Sequence, residues 1–129
     1  MMIDAQLWQE YSEPYFKFSR KPSTTRFAII TAWNPASQWL SKPQNDRNNH
    51  DLAQDFGHTY FVEVLVGDES FAWAEESFAV DIEQQQALLL GRKYKQNAIY
   101  YVIGDELFLL SCLADATKVN LGQWQCRCR

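Results

Sequence analysis

The residues of this chain that neither a core nor a turn requires fall in three groups. Trp33 and Asn34 close an apolar run before Pro35, with Ser37 and Asn45 soon after; Trp73, Glu75, Glu76 and Ser77 form a second group; Gln96 and Asn97 form a third. Glu75 and Glu76 are the candidate general bases. Adjacent side chains in a strand point to opposite faces, so only one of the two would serve a given site, which argues against a two-carboxylate acid–base pair. Trp33 and Trp73 offer flat faces for a planar ligand or a sugar. Asn34, Asn45, Gln96 and Asn97 each carry donors and an acceptor. Ser37 and Ser77 would need a base to act as nucleophiles. The two histidines, His50 and His58, fall in mid-helix and just past the helix end, away from the serines, so no Ser–His–Asp arrangement is expected.

No phosphate-binding loop, dinucleotide fingerprint or zinc spacing is present, and neither a cofactor nor a metal site is expected. Cys126 and Cys128 are flanked by Arg127 and Arg129, cations that would favour thiolates. The simplest reading leaves these cysteines on a frayed tail, while Cys112, inside an apolar run, reads as a small buried hydrophobe.

The elements that must position these groups follow from periodicity and caps. Residues 4–11 read as a short helix capped by Asp4, and 15–19 as an edge strand. Residues 26–33 are almost uninterrupted apolar, as a central strand should be, until Asn34-Pro35 stops it. Ser41 and Gln44 make a capping box for a helix running to about Phe56 and stopping at Gly57. On its inner face Leu52 and Phe56 are preceded by Asn49 and Asn45, so its first half presents amides inward. A buried amide needs partners, and for Asn45 the loop after Asn34 is the nearest source. Strands are expected over 59–66 and 77–82, then a helix over 83–94 capped by Asp81, with Gly91 allowing close packing. A strand over 98–103 turns at Gly104-Asp105 into another over 107–113. Residues 114–129 carry little signal.

The order strand, helix, strand, strand, helix, strand predicts an α+β, ferredoxin-like βαββαβ antiparallel sheet with two helices on one face. An N-terminal helix and strand and a C-terminal hairpin strand are added to it. That topology would gather Trp33, Asn34, Ser37, Asn45, Trp73, Glu75, Glu76, Ser77, Gln96 and Asn97 on one rim. It would also bring Arg92, Lys93, Lys95 and the N-terminus of the Ser41 helix there, mixing cations with carboxylates. Trp8, Trp39 and Trp124 are read as ordinary packing.

Composition narrows the function classes. The chain has 129 residues, 47% hydrophobic and 22% charged, which fits one domain (core about 26–103, extension 114–129) and excludes a disordered protein. No apolar run reaches the roughly 18 residues a membrane helix needs. Residues 1–10 hold Asp4 and Glu10 and no basic stretch, so no signal peptide is expected; with an odd cysteine count this suggests a cytoplasmic protein. A net charge of −4 and pI near 5.1 argue against nucleic acid as a partner, although Tyr100 and Tyr101 would suit an outward RNA-stacking surface.

The segments Thr31-Ala32-Trp33-Asn34-Pro35, Ser37, Leu40-Ser41, Asn45, Trp73-x-Glu75-Glu76-Ser77 and Gln96-Asn97-Ala98 resemble, in that order, a family of small bacterial proteins catalogued as domain of unknown function 3293. The resemblance spans about residues 11–110. It implies a bacterial, stand-alone protein and no particular activity. Three readings follow from the residues. The first is a non-catalytic module binding a small polar ligand at the rim. The second is a small hydrolase or transferase using Glu76 or Glu75 as general base. The third is a protein–protein module with an exposed aromatic patch.

Overall fold

The computed structural model describes residues 4–129. In chain order they form α1 (Ala5–Tyr11), β1 (Tyr15–Phe18), β2 (Arg26–Ile30), α2 (Lys42–Phe56), β3 (Phe61–Gly67), β4 (Ala74–Val80), α3 (Gln84–Lys93), β5 (Ala98–Ile103), β6 (Glu106–Ser111) and β7 (Lys118–Gln123), with short 3-10 turns at Pro35–Ser37 and Gln125–Arg127. Local signals act where expected. The Asp4 carboxylate accepts from the backbone of Gln6 and Leu7, and Ser41 and Gln44 close a reciprocal capping box. At α3 the N-cap is Glu83, without a side-chain bond. The expected Asp81 cap does not form, and the Asp81 N–H instead donates to the Tyr60 carbonyl.

One antiparallel sheet holds the seven strands in the order β1-β3-β4-β2-β5-β6-β7. The α+β class is as expected, but the seven-stranded order is not that of a plain ferredoxin-like sheet: beside the expected additions β1 and β6, an unexpected β7 extends the second edge. The reason lies in the two faces. On one, Leu52 and Phe56 of α2 and Ala87 of α3 bury Ala28, Ile30, Val80, Ile99 and Tyr101. On the other, Phe27, Ile29, Val64, Val66, Ala79 and Val102 are equally apolar and have no helix pair over them. The added strands supply that cover by letting the sheet curl.

The curl is closed by Trp124. Its ring lies 5.5 Å from both Phe18 and Phe27, edge-on, and its Nε1 donates to the Gly104 carbonyl at 3.0 Å. Beyond it, Cys128 bridges Phe16 of β1 in parallel, and the Arg129 N–H donates to the Phe16 carbonyl at 2.8 Å. The frayed tail is therefore corrected too: 118–123 is a strand, and the last residues pair with the first strand because Trp124 anchors them. Burial, the largest influence, holds the Cys128 thiol above its ordinary pKa, against the expected thiolate. Cys112 is buried as expected, with its thiol pushed up to about 11 by desolvation.

Gly91 sets how closely α3 approaches the sheet. A Cβ there would lie 2.6 Å from Cys112 Sγ and 3.0 Å from Ile99 Cγ2. Gly91→Ala is expected to destabilise by about 1–3 kcal/mol through overpacking. A lower urea midpoint would show it, and Cys112→Ala in the same chain should recover part of the loss. Among the described residues no helix is long and apolar enough to cross a membrane.

Candidate functional site

β2 ends at Ile30, three residues short of the apolar run, because side chains capture its backbone. The Ala32 N–H donates to Asn49 Oδ1 and the Asn34 N–H to Asn45 Oδ1, both at 2.8 Å. Thr31 Oγ1 donates to the Glu76 carbonyl at 2.7 Å and accepts from the Trp33 N–H at 3.1 Å. Asn45 and Asn49, one turn apart on α2, thus replace a ladder with amides and lift the chain off the sheet.

The lifted segment is strained. Asn34, Ala36 and Ser37 have φ of 46°, 55° and 60°, left-handed values that cost non-glycine residues about 1–3 kcal/mol each. Both sides hold them there. Asn45 Nδ2 donates to Asn34 Oδ1 at 3.1 Å and to the Leu40 carbonyl at 3.3 Å. From the other side the Ala36 N–H donates to the Lys95 carbonyl at 2.6 Å, and Gln96 Nε2 donates to the Trp33 carbonyl at 3.0 Å. The strain serves to aim the Asn34 amide, whose Nδ2 donates to Glu75 Oε2 at 2.9 Å.

Because β4 begins at Ala74, Glu75 and Glu76 are both in a strand. Their side chains diverge as adjacency requires. Glu75 and Ser77 face the inside of the curl, where Trp33, Asn34, Ser37, Trp73, Gln96 and Asn97 join them around a cleft of about 790 Å³. Glu76 goes to the opposite face, into a separate groove with Asp46 and His50, and its carboxylate lies 3.3 Å from Lys42 Nζ. Asn45 stands behind the cleft wall, positioning Asn34.

Tyr11, Trp39 and Tyr100 also line the cleft, where the sequence points to no site role for them. Tyr11 at the end of α1 hydrogen-bonds Ser37 Oγ at 2.7 Å, and Asn97 Nδ2 donates to that same Ser37 Oγ at 3.1 Å. Tyr100 donates its hydroxyl proton to the Tyr11 carbonyl at 2.6 Å, and Tyr101 donates to the Ile82 carbonyl on the helix side. The two tyrosines thus do not form one outward stacking surface. Trp39, read as packing, is instead 75% exposed. The run of an asparagine, a proline and a tryptophan with no helix or strand period was the one available hint.

The expected mixture of charges is not found. The charged residues lining the cleft are Glu10, Glu13, Asp68 and Glu75, all acidic. Arg92 turns to the Cys112 carbonyl, Lys93 pairs with Asp55 at 2.8 Å, and Lys95 contributes a carbonyl. The first turn of α2 spends its polar groups on its own capping box and on Asn34. Trp33 Nε1 is buried without a hydrogen-bond partner. Among the described residues no three His, Cys, Asp or Glu side chains gather as a metal site.

Desolvation raises the Glu75 carboxyl above its ordinary pKa, with the Asn34 amide pulling the other way. The folded state therefore holds this proton more tightly than the unfolded chain. Ionised Glu75 costs stability above its folded pKa, and the cost disappears below the unfolded value. Glu75→Gln keeps an acceptor for Asn34 and should raise the melting temperature at neutral pH. The gain should vanish as melts are repeated down to about pH 4. A variant less stable than the parent at pH 7 would contradict this.

A family model described as "Protein of unknown function (DUF3293)" matches residues 30–99. No curated protein and no solved structure matches the chain.

Proposed function

The chain belongs to the DUF3293 family, which brings no activity with it, and from the cleft alone we propose that the protein is a module that binds a small polar ligand. The observation that carries this is a concave, aromatic-walled cleft with a half-buried carboxylate at Glu75, held by an amide whose backbone is strained to hold it. Pockets of roughly 300–1,000 Å³ with apolar walls and a few fixed polar groups are the usual form of small-molecule sites. Trp33 and Trp73 would contact the body of the ligand, and Glu75, Ser37 and Asn97 its polar groups. Asn34 orients Glu75, and Asn45 acts behind it. A flat aromatic face would have favoured a protein–protein module; a concave one does not.

A thermal-shift screen over metabolites tests this reading. A ligand at 100 times its Kd stabilises by about 2.7 kcal/mol. The shift should be lost in Trp73→Ala and reduced in Glu75→Gln. A shift unchanged in both variants, or no shift from any compound class, would overturn the proposal.

One observation favours a second reading, a hydrolase or transferase with Glu75 as general base: burial raises the pKa of its carboxyl, as catalytic bases require. Glu76, exposed and paired with Lys42, has no such environment. Turnover of a screening hit, lost in Glu75→Gln with binding retained, would separate catalysis from binding.

A further inference from the structure

The cleft has a sign. Among the described residues every charged residue on its wall is a carboxylate, and the one cation paired to any of them is Arg127, 3.8 Å from Glu13. Glu10, Asp68 and Glu75 have no ion pair among the described residues. Glu75 is the innermost in character: half-buried, it has a single side-chain hydrogen bond, from Asn34. Around it stand aromatic rings, whose faces carry partial negative charge and attract cations; the Trp33 ring already has Lys42 Nζ 6.0 Å from its centre, and of the two tryptophans Trp73 is the one left for a ligand cation. An anion would meet repulsion from four carboxylates, and a neutral ligand would leave Glu75 desolvated with one amide for a partner.

Resting on the reading of the cleft as a ligand site, we infer that its ligand is a small organic cation, an ammonium or amidinium head on an apolar body. The head sits on Glu75, and the body lies between Trp33 and Trp73. Asp68 and Glu10 lie on the same wall and add long-range attraction that salt screens. The two adjacent glutamates differ in their partners. Glu76 has its cation already, Lys42 at 3.3 Å, and Glu75 has none among the described residues.

The test uses three probes of one shape and different charge: 2-phenylethylammonium, 2-phenylethanol and 3-phenylpropionate. Titrations follow the fluorescence of the cleft tryptophans and are repeated by calorimetry. The cation should bind about tenfold or more tighter than the alcohol, equivalent to about 1.4 kcal/mol, and the propionate weakest of all. Glu75→Gln should remove the advantage of the cation, weakening the cation and tightening the alcohol, which no longer strands a desolvated carboxylate. Glu76→Gln should change neither. Trp73→Ala should weaken both. If the alcohol or the propionate binds as tightly as the cation, or if Glu76→Gln costs as much as Glu75→Gln, the cationic assignment fails and the cleft reading stands. If no probe of any charge binds, both fail.

Discussion

Asn45→Ala is expected to lower stability by about 2–4 kcal/mol, since a buried donor left unpaired costs about 1–3 kcal/mol and the network's other bonds go with it. Asn45 is 2% exposed, and its amide makes three bonds: it accepts from the Asn34 N–H and donates to Asn34 Oδ1 and the Leu40 carbonyl. Alanine leaves the Asn34 N–H buried and unmet. The loss should appear in urea denaturation as a lower midpoint with an unchanged slope. Asn45→Asp should be worse than alanine, because it sets a carboxylate against the acceptor oxygens of Asn34 and Leu40. The same change should also be felt at the cleft. With Asn34 free to leave its left-handed conformation, Glu75 loses its amide partner, and ligand affinity should fall even under conditions where the variant is fully folded. A variant with parental stability would mean that water or a shifted helix replaces the amide.

Trp124→Ala is expected to cost about 3–5 kcal/mol, the usual range for removing a buried large aromatic. The side chain fills the centre of the curl, touching Phe18 of β1 and Phe27 of β2 edge-on and hydrogen-bonding the turn at Gly104. Trp124→Phe retains a ring and should cost less, losing the N–H bond and part of the volume. Denaturation of both variants against the parent would measure the difference. Equal losses would assign the effect to the hydrogen bond, and a small loss in the alanine variant would mean the curl does not depend on this plug.

What the sequence showed best was local. The capping box at Ser41 and Gln44, the apolar run at β2 and the hairpin at Gly104-Asp105 each follow from a few neighbouring residues. The inward amides of α2 were visible as Asn45 and Asn49 on the face of Leu52 and Phe56. Their consequence, an early end to β2, was not, because it needs the distance between helix and strand. Placing Glu75 and Glu76 on opposite faces needed only that they share a strand; which one faces the cleft depends on the register of β4 with β3, set by Val64↔Ser77 and Leu65↔Glu76. β7 escaped notice because an edge strand of Lys, Asn and Gln with Gly122 in it has little to bury. The cationic rim failed for a related reason. Long side chains such as Arg92 and Lys93 go where a carbonyl or carboxylate meets them, and topology fixes only where their Cα atoms lie.

The bridge between Phe16 and Cys128 joins segments far apart in sequence. Contacts so distant in sequence form late, after the loops between them have been ordered. During synthesis β1 can pair with β3 once residue 67 has emerged, yet its outer edge stays open until residue 128 follows. Until then the apolar inner face, with Phe16, Phe27 and Val102, is uncovered. A nascent chain therefore carries an unfinished sheet edge for as long as residues 68–128 take to be made, and its exposure to aggregation and chaperones is set by that interval.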